Sequence, residues 1–244
     1  MTSTGLHRVT VIGCGLIGTS LALALTRAGV EVLLEDHDPD ALGRAMLMGA
    51  GTPLAPAAPP ADLVVIATPP STVVDVLYEA QARGLGHAYT DVADAKEQIW
   101  AEAELRGCDV RGYVPGRPVV GRSSAGRGPA DAAEARADLF AGRSWIVCPY
   151  PAAEPRALDA VDALVALCGA RRRDMSPAEH DRAVAAAPAA AARPAERTAD
   201  RPAAQRPAER PADGPGERSA DRPRGRSAGH ATGRNTGRTG HCRA

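Results

Sequence analysis

The chain has 244 residues, with 28 Arg, one Lys, 29 acids, 44% apolar residues and seven aromatics. A formal net charge of zero argues against a uniformly basic nucleic-acid binder, and no stretch reaches the ~18 consecutive apolar residues of a membrane-spanning helix. The start, MTSTGLHRVTVIGCG, lacks the layout of a signal peptide, and Cys14, Cys108, Cys148, Cys168 and Cys242 form no CxxC pair, so the expectation is a cytoplasmic protein with isolated thiols and no metal site.

Residues 7–13 (HRVTVIG) form a short β-branched run ending in glycine, a predicted strand. Residues 16–29 follow as a helix with Ile17, Leu21 and Leu25 on one stripe and Gly29 placed to end it. VEVLLED (30–36) is the next strand, and 39–48 a helix opened by Pro39. ADLVVIAT (61–68) is nearly all apolar, as expected of a strand buried on both faces of a parallel sheet. Then come a helix (71–82), a strand (87–92), a helix (94–105) and a strand (109–114). After an irregular glycine-rich segment, where Arg122 is either a solvated cation or a contact to a cofactor or substrate carboxylate, SWIVCP (144–149) is a strand and 154–169 a helix. ARRRDM (170–175) reads as an edge strand. A last helix begins at Ser176, with Pro177 at its first position and Glu179 completing a capping box. Strands alternating with helices predict an α/β fold with a mostly parallel, doubly wound sheet.

The chain changes character near residue 188. Residues 188–244 contain no Val, Leu, Ile, Met, Phe, Tyr or Trp, and Pro, Ala, Arg and Gly make up 40 of these 57. They hold 12 Arg against six acids, which leaves residues 1–187 at −6. Without large apolar side chains this low-complexity tail is expected to be disordered.

Gly13, Gly15 and Gly18 form GxGxxG between a predicted strand and a predicted helix, the context such a motif requires. Gly13 allows a tight turn, Gly15 lets backbone amides approach a pyrophosphate, and Gly18 lets the helix pack on the sheet. Leu16 and Ile17 open the helix whose N–H groups face the anion. Asp36 ends the second strand, where a carboxylate accepts ribose hydroxyls and repels a 2′-phosphate, which favours NAD; His37 beside it leaves NADP open. Thr68 and Pro69 follow the 61–68 strand at the place of a nicotinamide loop, and Asp91 closes the next strand. These residues define a Rossmann-type NAD-binding domain over 7–175.

The segments VIGCGLIGTSLALAL (11–25), EDHDPDAL (35–42), DLVVIATPP (62–70), TDVADAK (90–96), GRPVVGRSSAG (116–126), ADLFAGRSWIVCP (137–149) and MSPAEHDRAVA (175–185) follow one another in the order and spacing of a known pattern. Over nearly all of residues 8–187 the chain resembles the nucleotide-binding domain of the prephenate dehydrogenases and the related arogenate dehydrogenases. The resemblance implies NAD-dependent oxidative decarboxylation of prephenate to 4-hydroxyphenylpyruvate in tyrosine biosynthesis. The ring carbon bearing the hydroxyl gives hydride to the nicotinamide, the hydroxyl proton goes to a base, and the ring carboxylate leaves as CO₂.

Three departures from the family pattern bear on activity. Arg117 stands where the family carries a His beside the substrate hydroxyl; a guanidinium stays protonated, so it serves as a carboxylate clamp rather than a base. Asp94 stands where the family has Ser, and adds negative charge beside an anionic substrate. The family also continues its last helix into an all-helical domain that completes the substrate site and forms a homodimer. Here residues 176–187 are the start of that domain, and the tail follows. Lys96, the one lysine, sits at a motif position, by function or by chance; His180 is either catalytic or a packing residue. The expected partner is a small molecule, prephenate or arogenate, with little turnover by this chain. Two further readings stand beside this one: an NAD-binding module without catalysis, and a frame change near codon 187 that created the tail.

Overall fold

The computed structural model describes residues 5–120 and 134–186. The tail (188–244), Arg122 and Cys242 lie outside the described residues.

Five parallel strands form the main sheet: β1 (Arg8–Ile12), β2 (Glu31–Glu35), β3 (Thr52–Pro53), β4 (Leu63–Ile66) and β5 (Tyr89–Asp91), in the order β3-β2-β1-β4-β5. β1 is central, with Val9 opposite Val32 on one side and Leu63 on the other. Successive side chains alternate between faces, so the sheet feeds two cores. Val9, Val11, Leu63 and Val65 pack with α1 (Leu16–Arg27) and α5 (Pro155–Leu167), through Leu21, Leu25, Val161 and Leu164. Ile12, Val64 and Ile66 pack with α3 (Val73–Ala82) and α4 (Glu97–Leu105), through Leu77, Ile99 and Trp100. Helices on both faces of a parallel sheet make this the doubly wound α/β architecture expected from the alternation.

The punctuation residues act as their chemistry dictates. Gly29, at φ +84°, ends α1 in the left-handed region. α2 (Pro39–Leu47) is capped by Asp38, which accepts a hydrogen bond from the Asp40 amide at 2.9 Å. α6 (Pro177–Ala186) opens on a reciprocal capping box: the Ser176 amide donates to Glu179 at 2.9 Å, and the Glu179 amide to Ser176 Oγ at 3.3 Å.

Four details differ from the sequence reading. Residues 109–114 do not form a strand: Asp109 accepts from the Arg111 amide at 3.0 Å, a side-chain turn that leaves a single bridge, Tyr113 to Tyr89. The helix expected over 94–105 begins at Glu97, because the cap of its first turn comes from α6 and not from Asp94. Two short strands were not anticipated, β3 and β6 (Gly116–Pro118), each too short to carry periodicity. The strands after β5 also do not join the main sheet. β6, β7 (Ser144–Val147) and β8 (Arg171–Asp174) form a second, three-stranded sheet in which β6 runs antiparallel to β7 and β8 parallel to it. As expected, the arginine-rich β8 lies at an edge.

Candidate dinucleotide site and adjoining polar cluster

The turn after β1 is dictated by crowding. Gly13 has φ +105°, and a Cβ there would meet the Ala67 carbonyl oxygen at 2.5 Å. A Cβ on Gly18 would fall 1.9 Å from the Gly13 oxygen, so these two glycines hold helix and sheet together. Gly15 is different: a Cβ there would meet nothing within 4 Å. The gap in front of Gly15 opens onto the N-terminus of α1, where Leu16 is buried and Ile17 half-buried. Free amides and the positive end of the helix dipole make this a cradle for an anion.

Asp36 stands at the end of β2, its side chain 9% exposed. Its Oδ2 accepts from the Cys14 amide at 2.5 Å and its Oδ1 from the Asp38 amide at 2.8 Å. The carboxylate is thereby fixed against the glycine turn, and each oxygen keeps a lone pair for a further donor. His37 contacts it at 3.1 Å and is otherwise exposed. Burial, then the Asp36 charge, pushes the Cys14 thiol up to about 12, so it is an inert packing group.

A cavity of about 480 Å³ runs between this turn and α3, lined by Gly13, Asp36, Thr68, Pro69, Val76 and Arg83 among others. Thr68 Oγ1 is buried without a hydrogen-bond partner. An orphaned hydroxyl, an open amide cradle and a fixed carboxylate around one cavity match the polar demands of a dinucleotide: phosphates at the helix, ribose hydroxyls at Asp36.

A second polar cluster lies beyond β5 and is closed. Lys96 is fully buried, and its ammonium pairs with Asp91, itself fully buried. Asp91 also accepts from the Tyr113 hydroxyl at 2.8 Å and the Ala93 amide at 3.0 Å. Asp181 of α6 accepts from the backbone amides of Lys96 and Glu97, both at 2.9 Å, and so caps α4. The same carboxylate lies 2.7 Å from His180 Nδ1. His180 is fully buried and its Nε2 has no partner. Burial lowers its pKa; Asp181 opposes this, while Lys96 and Arg117 lie near enough to reinforce it. The ring is therefore neutral at pH 7, with Nδ1–H donating to Asp181 and Nε2 left as a free acceptor.

The sequence-derived candidates thus fall into two groups. Gly13, Gly15, Gly18, Asp36, Thr68 and Pro69 surround the cavity or its turn. Lys96 and His180 belong to the second cluster, and Arg117 lies near enough to act on His180. Asp91 belongs to the second group rather than to the cavity wall, and Asp94 is exposed. Sequence reading missed Asp181 and Tyr113, whose partners lie 85 and 22 residues away. It also missed Arg83 and Glu35; the helical spacing of Thr72, Val76 and Arg83 was the available signal.

The family model described as "Prephenate dehydrogenase, nucleotide-binding domain" matches residues 21–173. A probable prephenate dehydrogenase, NovF, of Streptomyces niveus is 42% identical over 175 residues, covering 72% of this chain and 47% of that protein. The prephenate dehydrogenase of Bacillus subtilis (strain 168) is 27% identical over 181 residues, again covering 47% of the relative. The chain spans about half the length of the curated relatives it matches. Among solved structures, the prephenate dehydrogenase of Aquifex aeolicus in complex with hydroxyphenyl propionate and NAD+ shares the fold at TM-score 0.62 and 21% identity, over 74% of this chain and 63% of that one. Synechocystis arogenate dehydrogenase does so at TM-score 0.61 and 24% identity, over 73% and 63%. The family model spans most of the two-core α/β unit, from residue 21 to 173, and the chain belongs to the prephenate dehydrogenase family and carries its nucleotide-binding domain.

Proposed function

We propose that this chain binds NAD at the Gly13–Gly15–Gly18 turn, and that the reaction it is built for is oxidation of prephenate to 4-hydroxyphenylpyruvate with loss of CO₂. The observation that carries the cofactor is the open cradle at Gly15 beside Asp36, whose carboxylate is already held by two backbone amides. Bound there, NAD supplies the hydride acceptor. Leu16 and Ile17 offer helix amides to the pyrophosphate, Asp36 accepts the ribose hydroxyls, and Thr68 and Pro69 flank the nicotinamide end. A 2′-phosphate would face the Asp36 charge, which supports NAD over NADP. Isolated thiols fit a reducing compartment, and we place the protein in the cytoplasm.

The residues toward a substrate are less favourably arranged. Arg117 binds a carboxylate but accepts no proton. Lys96 is neutralised by Asp91 in the interior, and Asp94 adds negative charge at the surface. Among the described residues of this cluster, His180 has a free acceptor nitrogen, but it is fully buried. These placements favour a second reading, cofactor binding with little turnover. Arogenate, which presents an amine where prephenate has a keto group, is the alternative substrate.

Calorimetry with NAD and NADP, and NADH formation with prephenate and with arogenate, test both readings. The expected result is NAD binding and turnover well below ~1 s⁻¹, the lower edge of ordinary enzyme rates. Affinity for neither dinucleotide in folded protein overturns the proposal. Turnover above that rate that disappears in His180→Gln would make His180 the base.

A further inference from the structure

The cavity has an end that the dinucleotide motif does not explain. Thr72, Val76, Ala80 and Arg83 recur every three or four residues, so they form one stripe along α3 and its two cap residues, facing the end of β2. Val76 and Ala80 make that wall apolar. At its far end Arg83 meets Glu35 through two hydrogen bonds of 2.7 and 2.9 Å, one from each terminal guanidinium nitrogen. Glu79 approaches the same guanidinium at 3.4 Å. Both members of the Glu35–Arg83 pair are about a third exposed. Glu35 also accepts the Gly13 amide on its backbone oxygen at 2.8 Å, so one residue ties the glycine turn to this ion pair.

Two-point pairing does more than join charges. It holds the guanidinium in a fixed plane and compensates its charge, leaving a flat, weakly hydrated face at the end of an apolar groove. That surface suits a planar aromatic ring with polar edges. Asp36 lines the same cavity, where the ribose hydroxyls are placed, so the ring attached to that ribose is the one within reach.

We propose that Arg83, held flat by Glu35, closes the base end of the cavity and is the surface on which the adenine ring of the dinucleotide packs. The proposal rests on the dinucleotide reading above and assigns base recognition to a pair outside the glycine motif. An aromatic ring over a guanidinium gains affinity through stacking and cation–π attraction, which an ammonium on a flexible stem reproduces poorly.

The experiment is calorimetric titration of the full chain with NAD, AMP and nicotinamide mononucleotide, for wild type, Arg83→Ala, Arg83→Lys and Glu35→Gln. Arg83→Ala is expected to weaken NAD and AMP about tenfold and to leave nicotinamide mononucleotide unchanged. Arg83→Lys should lose nearly as much, and Glu35→Gln about threefold, because the plane is no longer held. The pair is on the surface, so the variants should keep the wild-type melting temperature closely. AMP affinity unchanged in Arg83→Ala, with wild type still binding NAD, overturns the assignment alone. An equal loss for AMP and nicotinamide mononucleotide overturns it too, since the effect would not lie at the base. Wild type that binds neither NAD nor AMP sinks the dinucleotide reading and this inference together.

Discussion

The two polar regions of this molecule are made of opposite materials. Around Gly13 and Asp36 the working groups are backbone amides, a helix end and one carboxylate fixed by amides, set around an open cavity. Around Lys96 they are side chains gathered from β5, the turn before α4, the residues before β6, and α6, and they are paired largely with one another and with the first amides of α4. The first region is a hole shaped before any ligand arrives, which is how binding sites avoid the cost of reorganisation. The second is a network in which Lys96, Asp91, Tyr113 and Asp181 already have structural partners before any substrate is considered, and His180 Nε2 is left over. The cofactor half should therefore tolerate changes facing the cavity, and the Lys96 half should respond to change first through stability.

The largest expected effect follows from that contrast. Lys96→Ala leaves Asp91 as a buried carboxylate without its cation, and breaking such a pair costs about 3–5 kcal/mol. Urea melts should show that loss, while NAD affinity of the remaining folded protein stays near wild type. A loss below about 1 kcal/mol, the range of an exposed pair, would show that water reaches the cluster and that it is not closed. Within the cofactor half the comparison can be repeated between two glycines. Gly18→Ala forces a Cβ against the Gly13 oxygen and should cost roughly 1–3 kcal/mol by overpacking. Gly15→Ala enters open space and should leave stability within about 0.5 kcal/mol, yet weaken NAD, because the methyl group occupies the pyrophosphate approach. If both variants lose stability equally, the space at Gly15 is not a ligand cradle.

Asp36→Ala tests the side chain that the cofactor half sets at the ribose. Removing a charged acceptor of two ribose hydroxyls should weaken NAD roughly tenfold or more, and NADP less. Equal loss for both would mean that Asp36 acts through the turn it holds, by way of the Cys14 amide, and not through the ribose.

The same contrast explains what could be read from sequence. The cradle is encoded in one continuous run, from Gly13 to Asp36, because strand, turn, helix and strand follow each other in chain order. Periodicity and glycine spacing are sufficient to find it. The second cluster depends on contacts between residues far apart in the chain. Nothing near Lys96 announces that Asp181, 85 residues on, caps its helix, nor that Asp91 turns inward to Tyr113. Asp94 looked like part of that helix because it is adjacent in sequence; the tertiary cap displaced it. The supposed strand at 109–114 failed for a local reason, since Asp109 and Gly112 favour a turn over an extended run. The partition of the strands after β5 into a second sheet has no sequence signal of its own, because β7 carries the same apolar pattern in either arrangement.

The smallest expected effect is the pH dependence contributed by the second cluster. Burial holds His180 below the usual 6.5, with Lys96 and Arg117 acting in the same direction and Asp181 against it. The unfolded chain thus takes up a proton at higher pH than the folded one. The contribution of His180 to stability is complete above about pH 6.5 and is lost as pH falls through its lower folded value. Asp181 behaves alike in a separate window: although burial raises its pKa, the His180 ring and the Glu97 and Lys96 amides bring it below 3.8, so its contribution is present above that value and fails as acid protonates it. Melting temperatures followed downward from pH 8 should therefore fall in two stages. His180→Gln should remove the upper stage, and Asp181→Asn should shrink the lower, to which Asp62 also contributes, since the Arg8 and His7 amides bring it below 3.8 although burial raises it. Cys14, raised to about 12, adds nothing over this range. A profile in which His180→Gln leaves the upper stage intact would show that the ring is charged, or exposed, in the folded protein. The free Nε2 acceptor that makes His180 the candidate base would then not exist.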